Sequence, residues 1–313
     1  MKRVLLSLVL VPLAGALGLA AFHWFSDRGF AADHPRPGQL YGKAGSKLHA
    51  IEKLGAEPAV VFVHGNPGTC LDFMPVLDRL SPQHRVLAFD RPGYGWSERP
   101  AADLSPTEQA RLLHAAVVEL GLRKPVLAGF SFGGPVVLAY ALEYPNEVSA
   151  LVLIAAVGSP TEGHHMGSGQ AMLAAPWTGS ALAYLVGPLM APDAVSAGYV
   201  DAFFPASPDP DVVQRGRLHF SRPMSLLASA RDWKVLETEL PKLAARYGEL
   251  KLPIEGLSAR DDRIVGPQHA NYLVDHLPTL NVELVDHAGH QLMSTHPEVV
   301  TAAVQRALAR AAR

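Results

Sequence analysis

The chain has 313 residues, 49% of them hydrophobic, with 27 Lys and Arg against 29 Asp and Glu and a formal net charge of −2. So much apolar material excludes a largely disordered chain and suffices for one large domain or two small ones, while the balanced charge offers no bulk field to nucleic acid or a strongly acidic partner. The single cysteine, Cys70, excludes a disulfide within the chain, reads as a packed thiol, and leaves the redox compartment open.

Met1-Lys2-Arg3 places positive charge ahead of Val4 to Phe22, a run without Asp, Glu, Lys or Arg. A helix over that run reaches about 28 Å, close to the thickness of a bilayer core. Residues 1–30 are therefore expected to be a transmembrane anchor. The second reading is a cleaved signal peptide, for which Gly18-Leu19-Ala20 and Gly29-Phe30-Ala31 offer small-x-small sites, and the third is a buried soluble helix. In the first two the basic end stays inside, so the folded body is expected outside the cytoplasm, membrane-anchored or else secreted or periplasmic. Ala31 to Gly38, rich in Pro and Gly, reads as a linker.

Gln39 to Tyr41 and Lys47 to Leu54 predict a modest antiparallel hairpin around Gly42 and Gly45. Beyond it, Ala59 to Val63, Arg85 to Phe89, Pro125 to Ala128, Ala150 to Ala155, Pro253 to Leu257 and Asn281 to Val285 read as strands buried on both faces. They alternate with helical stretches at Pro106 to Leu120, Phe132 to Glu143, Pro267 to His276 and Pro297 to Ala312, several opened by Ser, Thr or Pro. The pattern predicts an α/β fold: a mostly parallel central sheet with helices on both faces, binding ligands at the carboxyl ends of its strands. Gly158 to Asp232 breaks the alternation. It carries Trp177, Tyr184, Phe203 and Phe204 without a strand signal, and is too long and apolar for a plain loop, so a helical cap is expected there. The plan is a core of 31–157 and 233–313 with a cap of 158–232.

Gly129-Phe130-Ser131-Phe132-Gly133 joins a predicted strand to a predicted helix, the context a G-x-S-x-G nucleophile elbow requires. A hydroxyl on so tight a turn is pushed into the open, and the helix behind it points amides at any charge that develops beside Ser131. Serine needs a base to take its proton. His290 is best placed, in a loop after a predicted strand, with His287 and His296 as local rivals. The imidazole in turn needs a carboxylate, and Asp261-Asp262 lies just past the strand Pro253 to Leu257. Asp262 is preferred because Ile264-Val265 would anchor its loop; Asp261 remains the rival, and Asp286 reads as a turn former. The amides of Phe132 and Asn66 are the expected oxyanion donors, the latter from His64-Gly65-Asn66-Pro67-Gly68. His64 reads as structural. His164-His165 lacks metal-ligand spacing, so neither metal nor cofactor is expected.

At these residues, together with Asp90-Arg91-Pro92-Gly93-Tyr94-Gly95, the chain resembles the α/β-hydrolase superfamily from about Gln39 onward. The resemblance implies a cap inserted after the sixth strand and a chiefly structural Asp90 to Gly95 turn. His-Gly-Asn-Pro is similar to the motif of haloalkane dehalogenases and epoxide hydrolases, which carry an aspartate nucleophile. Ser131 in that place suits acyl transfer and argues against dehalogenation. The expectation is a serine hydrolase acting on a small, largely apolar carboxylic ester, with no nucleic-acid partner and membrane contact through its N-terminal segment. The alternatives are a proline iminopeptidase-like aminopeptidase, a C–C bond hydrolase, a haloperoxidase-like protein, or a tethered binding protein without turnover. An aminopeptidase would need a cap acid for the substrate ammonium, and Glu162, Asp193, Asp201, Asp209 and Asp211 are available.

Overall fold

The computed structural model describes residues 2–81, 83–160 and 167–312; the side chains of 2–9, 11 and 12 lie outside that description. Helix α1 (Lys2–Asp33) leads to a hairpin of β1 (Gln39–Tyr41) and β2 (Leu48–Lys53), antiparallel with Leu40 opposite His49, as the sequence predicts. Strand and helix then alternate through β3 (Ala56–Val63), α2 (Met74–Leu80), β4 (His84–Phe89), α3 (Pro106–Glu119), β5 (Val126–Phe130), α4 (Gly133–Glu143) and β6 (Ala150–Ile154). Helices α5 (Ser168–Ala174), α6 (Thr178–Leu185), α7 (Gly187–Phe203), α8 (Pro210–Phe220) and α9 (Pro223–Ala244) follow. The order resumes with β7 (Ile254–Ala259), α10 (Pro267–His276), β8 (Leu280–Val285), α11 (Leu292–Thr295) and α12 (Pro297–Ala311). Local chemistry sets several of these ends. At α3, Pro106 takes the first helical position, Ser105 Oγ accepts from the Glu108 amide, and the Glu108 carboxylate accepts from the Ser105 amide, a reciprocal cap.

The strands form one eight-stranded sheet in the order β1-β2-β4-β3-β5-β6-β7-β8. β2 meets β4 antiparallel, and every pairing from β4 to β8 is parallel. The period of two along β3 decides what each face buries. Val61 and Val63 join Leu127, Leu151 and the inner sides of α3, α4 and α10; Val60 and Phe62 join Val126, Val152 and those of α2 and α12. Each such side chain contributes about 1.5–3 kcal/mol on burial, so neither face tolerates water and both acquire helices. From β3 the chain goes to β4 on one side and, by way of α3, to β5 on the other. Val63 sits level with Gly129, so the loops leaving β3 and β5 emerge side by side at the switch point of the sheet.

Three expectations change at the segment ends. The linker expected from Ala31 begins inside α1, which runs on to Asp33. Nor is α1 separate from the folded body. His23 Nδ1 lies 2.6 Å from the Tyr184 carbonyl, and the buried Asp27 carboxylate pairs with Arg222 at 2.7 Å and accepts from the Met224 amide at 2.9 Å. Among the described residues no helix is long and apolar enough to cross a membrane, so the expected anchor gains no support from the fold. Within Val4 to Phe22, the side chains of 4–9, 11 and 12 lie outside the description. The boundary expected at 232 falls within α9, whose 22 residues run without a break from the helical segment back to the sheet.

Candidate active site

Ser131 occupies the turn between β5 and α4 with φ of +51°, the left-handed region that a side chain enters only when its surroundings compel it. Its amide donates to the Ile154 carbonyl at 2.9 Å, and its own carbonyl accepts from Gly134 at 3.0 Å and Val157 at 3.1 Å. The turn closes because Gly133 lacks a Cβ, which would lie 2.2 Å from the Val63 carbonyl oxygen and force α4 off β3. The sequence suggests a hydroxyl pushed into the open, but Ser131 is only 2% exposed. The segment of helices α5–α9 stands over the strand ends.

His290 lies in the loop after β8, its ring against that of Phe130, the residue before Ser131, with 4.7 Å between centroids. Its Nδ1 is 2.7 Å from Asp262 Oδ2. The other oxygen, Oδ1, accepts from the amides of Ile264 at 2.7 Å and Val265 at 2.8 Å, so the loop that follows Asp262 does hold it. The Asp262 carboxylate is wholly shielded from water. An ionised carboxylate only accepts, so Nδ1 carries the proton here and Nε2 is left as the basic nitrogen. No hydrogen bond joins the Ser131 hydroxyl to the imidazole among the described residues; such contacts are often long before substrate binds. Asp261 instead donates its amide to the Ala288 carbonyl, His287 is exposed at φ of +53°, and His296 opens α12. Asp286 lies exposed and pairs with Arg260.

The loop after β3 brings Asn66 to the same end of the sheet. It lies so close that a Cβ on Gly65 would sit 2.9 Å from the Ser131 Cβ. Asn66 Nδ2 donates to the Ser229 carbonyl at 3.0 Å and its Oδ1 accepts from the Tyr94 hydroxyl at 3.1 Å, so the side chain faces α9 and the Asp90 to Gly95 turn. Among the described residues neither the Asn66 nor the Phe132 backbone amide donates a hydrogen bond. His64 has both ring nitrogens engaged, Nδ1 with the Gly65 carbonyl and Nε2 accepting from the Arg91 amide. Burial, and then the Arg91 guanidinium, push its pKa down to about 3, so it stays neutral and structural. Burial pushes the Cys70 thiol well up, and its amide bonds Asp90 Oδ1 at 2.7 Å.

The motifs do not single out Arg91 or Asp232, and the resemblance implies only a structural turn from Asp90 to Gly95. Both are buried: Arg91 Nη1 meets Asp232 Oδ2 at 2.7 Å, Arg99 meets Oδ1 at 2.8 Å, and Arg91 Nη2 donates to the Gly65 carbonyl at 3.0 Å. A signal was there to find. Ala228, Asp232, Leu236 and Leu240 are spaced by four along α9 and all buried, so an acid occupies a stripe that otherwise wants apolar side chains.

A cavity of about 650 Å³ lies between the strand ends and α5–α9. Its floor includes Asn66, Phe130 and His290; its walls include Met172, Leu182, Met190, Val195, Tyr199 and Phe220. Among the described residues no Asp, Glu, Lys or Arg lines it. Of the acids considered for an ammonium, Asp193 and Asp201 pair on the surface with Arg217 and Arg263, while Asp209 caps α8 and Asp211 lies in its first turn. Glu162 and His164-His165 lie outside the described residues.

A family model for the alpha/beta hydrolase fold matches residues 58–297. Among curated proteins, 2-hydroxy-6-oxo-2,4-heptadienoate hydrolase of Pseudomonas putida is 37% identical over 123 residues, which is 38% of this chain and 44% of that protein. The chain spans less than half the length of the curated relatives it matches. A thermophilic esterase from Thermogutta terrifontis superposes with a TM-score of 0.70 at 21% identity, covering 88% of this chain and 98% of that one. A bacterial membrane phospholipase A superposes with a TM-score of 0.68 at 21% identity, covering 100% of both chains. Likeness at that identity speaks to the fold alone. The family match runs from β3 through the helical segment to the start of α12, and it makes the chain a member of the α/β-hydrolase family.

Proposed function

We propose that the protein hydrolyses carboxylic esters by acyl transfer to water through Ser131. The observation that carries this reading is the shielded His290–Asp262 pair with a strained serine at the same strand ends, beneath a cavity whose described lining carries no fixed charge. Ser131 Oγ attacks the ester carbonyl carbon as its proton passes to His290 Nε2, and the oxygen that gains charge receives the amides of Asn66 and Phe132. The imidazolium gives its proton to the departing alcohol. Water then attacks the acyl-enzyme, again losing a proton to His290, and the acid leaves as Ser131 recovers its hydrogen. Asp262 fixes the ring and stabilises its charged form throughout.

The segment 158–232, which contributes α5–α8 and the start of α9, is read as the cap that selects the acyl chain. A wall of Met, Leu, Val and Phe rewards each methylene it covers with about 0.8 kcal/mol, close to a fourfold gain in kcat/KM. On p-nitrophenyl esters from acetate to hexanoate, kcat/KM is therefore expected to climb at about that rate per carbon. Acetate as the best substrate, or faster cleavage of a prolyl amide, would overturn the reading. The aminopeptidase alternative lacks support because no described carboxylate faces the cavity.

The N-terminal segment is read as an uncleaved anchor that holds the catalytic body outside the cytoplasm. Cleavage after Ala31 would remove Asp27, the partner of Arg222 and the Met224 amide. Leu13, Leu17, Phe22 and Phe25 remain more than half exposed, an apolar surface suited to lipid. Intact mass spectrometry of protein extracted from membranes is expected to give a mass that retains α1. A species beginning after Ala20 or Ala31 would refute it.

A further inference from the structure

The Gly65–Asn66 peptide faces two ways. Its N–H is the Asn66 amide assigned above to the oxyanion, while its carbonyl accepts from Arg91 Nη2 at 3.0 Å and from His64 Nδ1 at 2.8 Å. Because the peptide unit is planar, fixing the oxygen fixes the direction of the N–H, and two donors on that oxygen polarise the N–H further. Arg91 Nε also donates to the preceding carbonyl, that of His64, at 3.1 Å. The same guanidinium lies 4.3 Å from the centre of the Phe132 ring, on the residue that bears the second proposed amide. Behind it, Nη1 is held by Asp232 Oδ2 at 2.7 Å and Gln109 Oε1 at 2.8 Å.

We infer that Arg91 is a positioning residue for the oxyanion hole. It holds the Asn66 amide in aim through the Gly65 carbonyl, and Asp232 ties that aim to α9. The inference rests on the acyl-transfer reading of Ser131. Only arginine fits: its rigid fork serves one carboxylate, one amide oxygen and two backbone carbonyls in different directions, whereas a lysine offers one charge at one point. Arg91 touches no substrate in this role, so its effect must appear where charge develops on the reacting oxygen and not in ground-state binding.

The test uses the full-length chain and two variants, Arg91→Lys and Gln109→Ala, each normalised to its folded fraction. Four quantities are read: kcat and KM on p-nitrophenyl hexanoate, inhibition by an alkyl trifluoromethyl ketone, and inhibition by the matching methyl ketone. The first ketone is captured as a tetrahedral adduct when Ser131 Oγ adds to its carbonyl carbon, leaving an oxyanion in the hole and the serine proton on His290; the second binds only as a ground-state analogue. Arg91→Lys is expected to lower kcat about 100-fold and to weaken the trifluoromethyl ketone by a similar factor, with KM and methyl ketone inhibition within about twofold of wild type. Gln109→Ala, which frees only one support of Nη1, should lose less in the same two quantities. If Arg91→Lys melts at a lower temperature but keeps its kcat and its trifluoromethyl ketone affinity, Arg91 merely stabilises the loop and the inference falls. Should that variant not fold, unchanged trifluoromethyl ketone affinity in Gln109→Ala overturns it equally. A wild type that neither turns over esters nor binds the trifluoromethyl ketone would instead remove the acyl-transfer reading itself.

Discussion

Ser131→Ala is expected to lower kcat for ester hydrolysis by about 10⁶-fold while the protein stays folded. The loss is so large because the groups act as a unit. Without the hydroxyl, His290 has no proton to take and Asp262 no imidazolium to stabilise, so what remains is the assistance of the oxyanion donors to water. Folding should survive because the turn is held by backbone bonds, the Ser131 amide to Ile154 and its carbonyl to Gly134 and Val157, which alanine keeps. Alanine is also no worse placed than serine at φ of +51°, so the strain is unchanged. Reaction with a fluorophosphonate probe, followed by mass, checks the point directly. Labelling that persists in the variant would move the nucleophile elsewhere.

Asp262→Asn is expected to lower kcat by about 10⁴-fold with little change in melting temperature. The neighbours of the carboxylate dictate why. The Ile264 and Val265 amides can only donate, so they hold the oxygen of the new side chain where Oδ1 now sits and turn its NH₂ toward His290. A donor facing Nδ1 drives the ring proton to Nε2, the nitrogen that has to accept from Ser131. The ring stays in place in the wrong tautomer. Asp261→Asn is the control and should remain within about twofold of wild type, because Asp261 meets the His290 loop through its amide and not its carboxylate. Inactivity in that control, with Asp262→Asn still active, would reverse the assignment.

The centre of the sheet was legible because its strands are short runs of Val, Leu, Ile and Ala buried on both faces, as at β5 and β6, and each ends within a residue or two of its apolar run; β8, expected to be buried likewise, is an edge strand in which only Val285 is buried. The proposed site residues were legible because each follows such a run: Asn66 after β3, Ser131 after β5, Asp262 after β7 and His290 after β8. What sequence spacing could not supply is contact across distance. Asp232 lies 141 positions from Arg91, and nothing in the periodicity of α9 says which cation its buried carboxylate will meet. The docking of Asp27 on Arg222, 195 positions away, is hidden for the same reason, so the sequence favours an anchor set off by a linker where the fold packs α1 on the body. The run of α9 through the expected boundary was missed because a helix that leaves one layer for another keeps its 3.6-residue period and changes only its neighbours.

The cavity walls, uncharged among the described residues, have a consequence for turnover. An ester brings no charge into that space, but its hydrolysis leaves a carboxylate, and an ion without a partner is costly to keep in apolar surroundings. The reaction thus turns a welcome guest into an unwelcome one, and the driving force for emptying the chamber comes from the chemistry performed inside it.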